Sequence, residues 1–219
     1  SSAESLRFAD GTEFSATQPN TTPLLSINVP IGLQYGPTPG TIASRANLSV
    51  SPGQTLALLG GTLALDRSQL TTFDGQIALG SIAGEGRIQF ADWTSTGQLG
   101  SITLTGGAIA DTSGNSGGTI QLRGDRVELT ERSQLLANTF GNGNGSGISI
   151  EARQFNVQQG AFLSASTFGT GNAGGVRLSA DSIDLQGTNP GQTLFQLFSG
   201  TLETTNLTGG IYAVSLGTG

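Results

Sequence analysis

The chain has 219 residues, of which 35% are hydrophobic and only 11% are charged, and its net charge is −6. It contains neither Cys nor His, which excludes disulfides, thiolate chemistry and the commonest general base and metal ligand near neutral pH. The 9 basic residues do not cluster, so nucleic acid is not an expected partner. We therefore predict a protein that is not an enzyme, with no catalytic residue, no cofactor and no metal site.

The composition also argues against an integral membrane protein. No apolar run approaches the ~20 residues that a transmembrane helix needs. The N-terminal residues are polar and begin without Met, so we expect a processed chain or a piece of a longer one. Many short apolar stretches, separated by Gly-rich turns, predict an all-β protein.

Residues 1–46 are predicted to be irregular and to lie at the end of the main fold. Five prolines fall between residues 19 and 41, and proline cannot donate a backbone hydrogen bond within a central strand. They are Pro19, Pro23, Pro30, Pro37 and Pro39. We expect this stretch to be a loop that crosses the flank of the fold.

From about residue 47 the apolar residues come in pairs two apart, the spacing that sends both side chains to one face of a strand. The early pairs are Leu56 with Leu58, Leu63 with Leu65 and Ile77 with Leu79. Ile102 and Leu104 then precede Ile120 and Leu122 by 18 residues, which predicts one shorter coil between them.

From about residue 117 the apolar pattern repeats with a period of 28 residues. Ile120 superposes on Ile148 at this spacing, and Ile148 superposes on Val176. The other positions of the frame are Leu122 with Ile150, Val127 with Phe155, Leu129 with Val157, Leu135 with Leu163, Ala137 with Ala165 and Phe140 with Phe168. Each repeat therefore contains three short strands and a loop rich in Gly and Asn.

One such repeat cannot bury its own apolar face, but stacked copies can, because equivalent positions then form continuous columns. We predict a right-handed parallel β-helix, a three-faced solenoid that occupies residues 47–219. Its coils should rise by about 4.8 Å each, the spacing between neighbouring strands.

Residues 190–200 interrupt the repeat and are predicted to leave the coil. Removing them restores the frame and places Leu202 where Leu163 lies one coil earlier. Apolar side chains in a segment that leaves the coil must be covered, which makes them the candidate partner contacts. These candidates are Leu194, Phe195, Leu197 and Phe198. The alternative is a lid that packs on the flank of the β-helix itself.

Residues 28 apart should lie above one another, so Asp125, Arg153 and Asp181 form one column of alternating charge. Arg123 and Glu151 form a second column. Two carboxylates on either side of a substrate are the pair that glycosidases use, which leaves a carbohydrate-active, pectinase-like β-helix enzyme as an alternative. Alternating charges on neighbouring strands also predict a surface ion-pair ladder, and we favour that interpretation.

The Gly-rich loops at residues 141–145 and 169–172 suggest a calcium site as an alternative, by analogy with nonapeptide β-helix repeats. They lack the Asp ligands that those calcium-binding repeats use. We expect Gly-rich turns instead, with Asn144 stacked on Asn172. Phe140 should stack on Phe168 as a structural contact.

Five short segments are distinctive: residues 5–15 (SLRFADGTEFS), 28–36 (NVPIGLQYG), 52–58 (PGQTLAL), 169–174 (GTGNAG) and 185–188 (LQGT). These segments resemble cyanobacterial proteins of the filamentous haemagglutinin type. The resemblance implies two-partner secretion, in which an outer-membrane β-barrel transporter recognises an N-terminal domain and passes the chain out unfolded. The Asn-Pro motifs that members carry near the mature N-terminus are absent. We therefore expect the end of the secretion domain followed by the first repeats, and assign no transporter-recognition residues.

Together these features predict a secreted or cell-surface structural protein, adhesin-like, of the filamentous haemagglutinin type. The resemblance implies an outer-membrane two-partner-secretion transporter as the partner during export from a Gram-negative, cyanobacterial cell. Cell-surface glycans or other surface proteins are the expected partners afterwards.

Overall fold

A computed structural model describes residues 1–18, 30–186 and 209–215, and every regular element in these ranges is a β-strand. In chain order the strands are β1 (Ser5–Phe8), β2 (Glu13–Ser15), β3 (Pro30–Tyr35), β4 (Ile42–Ser44), β5 (Asn47–Ser49), β6 (Thr55–Gly60), β7 (Leu63–Asp66), β8 (Gln69–Thr71), β9 (Gln76–Gln89), β10 (Ser95–Leu99), β11 (Ser101–Thr105), β12 (Ile109–Asp111), β13 (Thr119–Arg123), β14 (Arg126–Leu129), β15 (Gln134–Leu136), β16 (Gly147–Glu151), β17 (Gln154–Val157), β18 (Phe162–Ser164), β19 (Gly175–Ser179), β20 (Ser182–Leu185) and β21 (Gly210–Tyr212).

Three parallel sheets form the three faces of a solenoid. Sheet 1 contains β6, β9, β13, β16 and β19; sheet 2 contains β4, β7, β11, β14, β17 and β20; sheet 3 contains β5, β8, β12, β15, β18 and β21. Consecutive strands such as β13, β14 and β15 belong to different sheets, so the chain passes once through each face in a coil. The described residues therefore form an all-β fold of stacked parallel coils, consistent with a β-helix.

The parallel pairs keep the 28-residue frame of the sequence. Ile120 pairs with Ile148, and Ile148 pairs with Val176, all in sheet 1. The other columns are Leu122–Ile150–Leu178, Val127–Phe155–Ile183, Leu129–Val157–Leu185 and Leu135–Leu163. Apolar side chains therefore stack directly on apolar side chains from one coil to the next.

The main core fills the inside of the solenoid. In β13 the inward Ile120 and Leu122 are at most 2% exposed, while the alternate residues Thr119, Gln121 and Arg123 point outward and are half-buried. Alternation of side chains along a strand thus separates an apolar interior from a polar surface in each coil.

The prediction of an 18-residue coil between Ile102 and Ile120 is wrong. Ile102 lies in sheet 2, between Leu63 and Val127, whereas Ile120 lies in sheet 1 beside Ile77. Apolar pairs two apart look alike on all three faces, so spacing does not assign a face when the coil length varies. Here a hairpin lengthens the coil, because β9 continues beyond its parallel partners and β10 returns along it.

The last strand of sheet 3 also departs from the predicted frame. Ile211 pairs with Leu163, in the position that the sequence assigns to Leu202. Leu202 lies outside the described residues. The sequence pattern does not distinguish Leu202 from Ile211 here, because either apolar side chain fits the same inward position.

The described residues among 1–46 (1–18 and 30–46) form four strands, β1 to β4. The strand β4 already pairs in parallel with β7, so the solenoid begins before residue 47. The strands β1, β2 and β3 instead join the end of β9 and β10 in an antiparallel sheet, with the order β2-β1-β3-β9-β10. We call it the cap sheet.

Strand β3 is central in the cap sheet, although the prolines around it predict a loop. Its one proline, Pro30, occupies the first position of the strand, where the register of the pairing with β1 shifts beside Phe8. Proline is tolerated at a strand start because the missing N–H is not needed by the ladder. Pro19 and Pro23 lie outside the described residues.

A second core lies between the cap sheet and the solenoid. Its buried residues are Leu33, Tyr35, Leu59, Ile82 and Ile88. Tyr35 is only 1% exposed, and burial raises the pKa of its hydroxyl to about 12. The hydrogen bond with Ser1 lowers this pKa by a smaller amount. The cap sheet is therefore attached through a packed apolar interface.

We expect the buried Tyr35 hydroxyl to make the protein sensitive to alkali. The folded pKa lies above the unfolded value of about 10, so the neutral form stabilises the fold below pH 10 and this contribution is lost towards pH 12. The loss should be about 2 kcal/mol. Urea unfolding between pH 8 and 11.5 should show it in the wild type and not in Tyr35→Phe. An equal decline in both proteins would contradict the prediction.

Candidate functional site

The hairpin formed by the end of β9 and β10 folds over the outer face of sheet 1. Ala78 alternates with the inward Ile77 and Leu79 in β9 and therefore points outward, yet it is only 2% exposed. Gly80, also outward, lies so close to this cover that an added Cβ would be 2.9 Å from a methyl group of Leu59 and 3.1 Å from one of Ile88. The absence of a side chain at Gly80 thus permits the close approach.

A crevice opens where this cover ends, at the boundary between the hairpin and the uncovered strands β13 and β16. Its volume is about 110 Å³. Its apolar lining residues are Leu59, Ile82, Ile88, Trp93 and Leu99. Its polar lining residues are Asp92, Ser95, Gln121, Arg123, Ser149 and Glu151. The crevice therefore suits a ligand with one apolar face and several hydroxyl or amide groups.

Trp93 is held at this crevice in a strained backbone conformation. Its φ is +55°, a region that bulky residues rarely adopt. Asp92 stabilises the turn, because its carboxylate accepts hydrogen bonds from the Thr94 amide at 3.1 Å and the Thr94 hydroxyl at 2.7 Å. The ring of Phe90 lies 5.8 Å from the indole. Strained residues that the surroundings hold in place concentrate at functional sites.

Arg123, one of the polar residues that line the crevice, connects the hairpin to the coils. Its guanidinium donates to Glu151 on the next coil and, at 3.4 Å, to the hydroxyl of Ser95 in β10. The pKa of Asp92 lies below its usual value, chiefly because of the hydrogen bonds from Thr94 and to a smaller extent because of Arg123. The polar lining of the crevice thus carries fixed charges of both signs.

The crevice continues into a wider groove along the outer face of sheet 1. Gln121 and Ser149 line both concavities, and the wider one, of about 570 Å³, extends to Arg177. We call the combined concavity, from Trp93 to Arg177, the sheet 1 groove.

The two charge columns predicted from the sequence both form ion pairs. Arg153 binds Asp125 bidentately, through Nε at 2.8 Å and Nη2 at 3.0 Å. Asp181 also attracts Arg153 electrostatically. In the second column Arg123 pairs with Glu151. The first column follows the turn into sheet 2 and lies outside the sheet 1 groove, whereas the second lines it.

We expect the Asp125–Arg153 pair to contribute a small, pH-dependent stabilisation. The pKa of Asp125 is lowered chiefly by the hydrogen bond from Arg153, so the contribution is present above the unfolded pKa of about 3.9 and is lost as the pH falls through the folded pKa. Asp125→Asn should lower Tm at pH 7 by at most about 2 °C, because the pair is exposed. Melting curves from pH 2 to 7 should show the difference disappearing in acid, and a difference that is constant with pH would contradict the assignment.

The loop ladders follow the predicted stacking. Asn172 donates to Asn144 on the coil below at 2.9 Å, and the rings of Phe140 and Phe168 stack at 5.5 Å. Within residues 1–18, 30–186 and 209–215, no group of three or more acidic residues could hold a metal ion.

The candidate partner contacts Leu194, Phe195, Leu197 and Phe198 lie outside the described residues. The sheet 1 groove, in contrast, was not predicted from the sequence. Its one available signal was the single tryptophan of the chain, Trp93, placed in a polar turn between two strands. The coil-by-coil frame could not reveal it because the hairpin stands outside the repeat.

Stacked parallel coils with an antiparallel cap sheet define a β-solenoid protein. The family model described as the TPS secretion domain matches residues 1–135 of this chain. The chain belongs to this family, and it is a two-partner-secreted protein of the haemagglutinin type. The family implies export across the outer membrane and interaction with the transporter that resides there.

No curated protein and no solved structure matches the chain significantly. Among the described residues, there is no helix with the length and apolar character needed to cross a membrane.

Proposed function

We propose that the exported protein acts at the cell surface as an adhesin-like module that binds surface glycans, in a cyanobacterial cell. The segments that resemble cyanobacterial proteins of the filamentous haemagglutinin type support this source. Crossover connections between parallel strands of the same sheet are right-handed in about 98% of proteins, which supports a right-handed β-helix.

The observation that carries the proposal is the regular spacing of the solvent-facing groups. Stacked coils hold Asn144 over Asn172 and Phe140 over Phe168. Each pair joins two neighbouring coils, whose strands are spaced about 4.8 Å apart. A rigid array of polar and aromatic groups is a surface that can contact a repeating ligand such as a glycan chain.

We further propose that the protein binds without turnover. A glycosidase general acid needs a carboxyl group with a raised pKa. The Asp125 carboxylate accepts two hydrogen bonds from Arg153, and its pKa is lowered. This environment favours the charged form and therefore supports a structural role for the column.

The proposal can be tested with beads coated with the purified chain. Coated beads should adhere to cells that carry surface polysaccharide, and mild periodate oxidation of that polysaccharide should reduce adhesion at least ~10-fold. Beads coated with a denatured sample of the same chain provide the control. Adhesion that is equal for native and denatured chains, or unaffected by periodate, would contradict the proposed function.

A further inference from the structure

We propose that the sheet 1 groove binds a short neutral oligosaccharide, with one sugar ring lying on the indole of Trp93. The inference rests on the proposed glycan-binding function and assigns that function to one site. It is carried by three features of the groove: the mixed apolar and polar lining, the balance of charge and the size.

The mixed lining of the crevice provides partners for both surfaces of a sugar ring. A pyranose has an apolar face of C–H groups and a rim of hydroxyl groups. Trp93 and Leu99 provide an apolar surface for the C–H face of the sugar. An indole contributes much contact area from a rigid ring. Gln121 and Ser149 can donate to and accept from hydroxyl groups.

The charges of the groove favour a neutral ligand over an acidic or basic one. Asp92 and Glu151 are balanced by Arg123 and Arg177. Arg123 is already bound to Glu151 and to the hydroxyl of Ser95, so it is a poor partner for a ligand carboxylate. A groove with balanced charge does not concentrate ions of either sign.

The size of the groove fits several sugar rings in a row. A closed protein cavity of about 150 Å³ accepts benzene. The crevice of about 110 Å³ is partly open, so a sugar ring can enter it and extend beyond it. The wider part, of about 570 Å³, has room for further rings along β13 and β16.

The single tryptophan makes the site directly observable. Because Trp93 is the only tryptophan in the chain, its fluorescence reports on this groove alone. We would titrate the chain with neutral tetrasaccharides of glucose, mannose, galactose and N-acetylglucosamine, and with tetragalacturonate as the acidic comparison. At least one neutral tetrasaccharide should give a saturable change, with a Kd between about 0.1 and 1 mM. Tetragalacturonate should bind at least ~10-fold more weakly.

Two variants test whether the groove is responsible. Trp93→Ala should weaken the bound tetrasaccharide at least ~10-fold, and Gln121→Ala about 3-fold or more, as measured by ligand-observed NMR. Because Trp93 also packs on the second core, the outward Gln121 provides a variant that leaves the packing intact. Phe73→Ala is the matched control, since Phe73 is an aromatic residue, 56% exposed, that follows β8 on sheet 3. It should bind as the wild type does.

The outcomes separate this site from the proposed function. Absence of a fluorescence change and of NMR binding for every neutral tetrasaccharide overturns the site, as does binding that survives both groove substitutions. If beads coated with the chain still adhere to cells, and periodate still reduces this adhesion, the adhesive function is supported and only the assignment of the site is contradicted. If a tetrasaccharide binds and both substitutions weaken it while beads do not adhere, the site stands and the adhesive function falls.

Discussion

Phe155→Ala is expected to lower the free energy of unfolding by about 3–5 kcal/mol. Phe155 is fully buried in the column between Val127 and Ile183, and it is among the largest side chains in the main core. Removing the ring leaves a cavity that rigid strands on three faces cannot close. Urea unfolding followed by far-UV circular dichroism would measure the change.

The neighbouring outward residue provides the control for this substitution. Asn156 follows Phe155 in β17 and points to the opposite side of the strand. Asn156→Ala should change the free energy of unfolding by no more than about 0.5 kcal/mol. Equal losses for the two variants would mean that Phe155 does not lie in a packed interior.

Gly147→Ala is the second substitution for which we expect a large effect, a loss of at least about 2 kcal/mol. The backbone at Gly147 has φ of +94°, which an alanine adopts only with strain. An added Cβ would also overlap the Gly175 carbonyl oxygen and lie 2.7 Å from the Gly175 amide nitrogen. Because these are backbone atoms of the next coil, the clash can be relieved only by separating the two coils.

Gly175 is the matched control, because it is the residue paired with Gly147 one coil further on. It has no positive φ, and an added Cβ would meet nothing within 4 Å. Gly175→Ala should therefore leave the midpoint of urea unfolding within experimental error of the wild type. A similar loss in both variants would show that strand pairing, and not the close approach of the coils, limits substitution at these positions.

The register between residues 117 and 185 follows from the sequence because its coils have constant length. Ile120, Ile148 and Val176 each face the interior, and a fixed period of 28 residues aligns them. A shift of one residue would turn every apolar side chain outward. Burial therefore selects a single register, and the same frame correctly pairs Asp125 with Arg153 and Asn144 with Asn172.

The sequence was a poorer guide where paired strands are not 28 residues apart. Ile102 was aligned with Ile120 although the two lie on different faces, and Leu202 was aligned with Leu163 although Ile211 pairs there. An inward pair of apolar residues does not show to which of the three faces its strand belongs. Only the complete set of strand pairings distinguishes a short coil from a coil that contains a hairpin.

Amino-acid order alone thus determined the all-β class, the absence of cysteine and histidine chemistry and the 28-residue frame, because each depends on local alternation or on composition. The tertiary structure decided the cap sheet, the second core and the sheet 1 groove. In these features β3, β10 and the last residues of β9 lie against the outer face of sheet 1, next to strands such as β13 and β16 that are distant in the chain. Such contacts depend on the packing of whole sheets, which no local periodicity records.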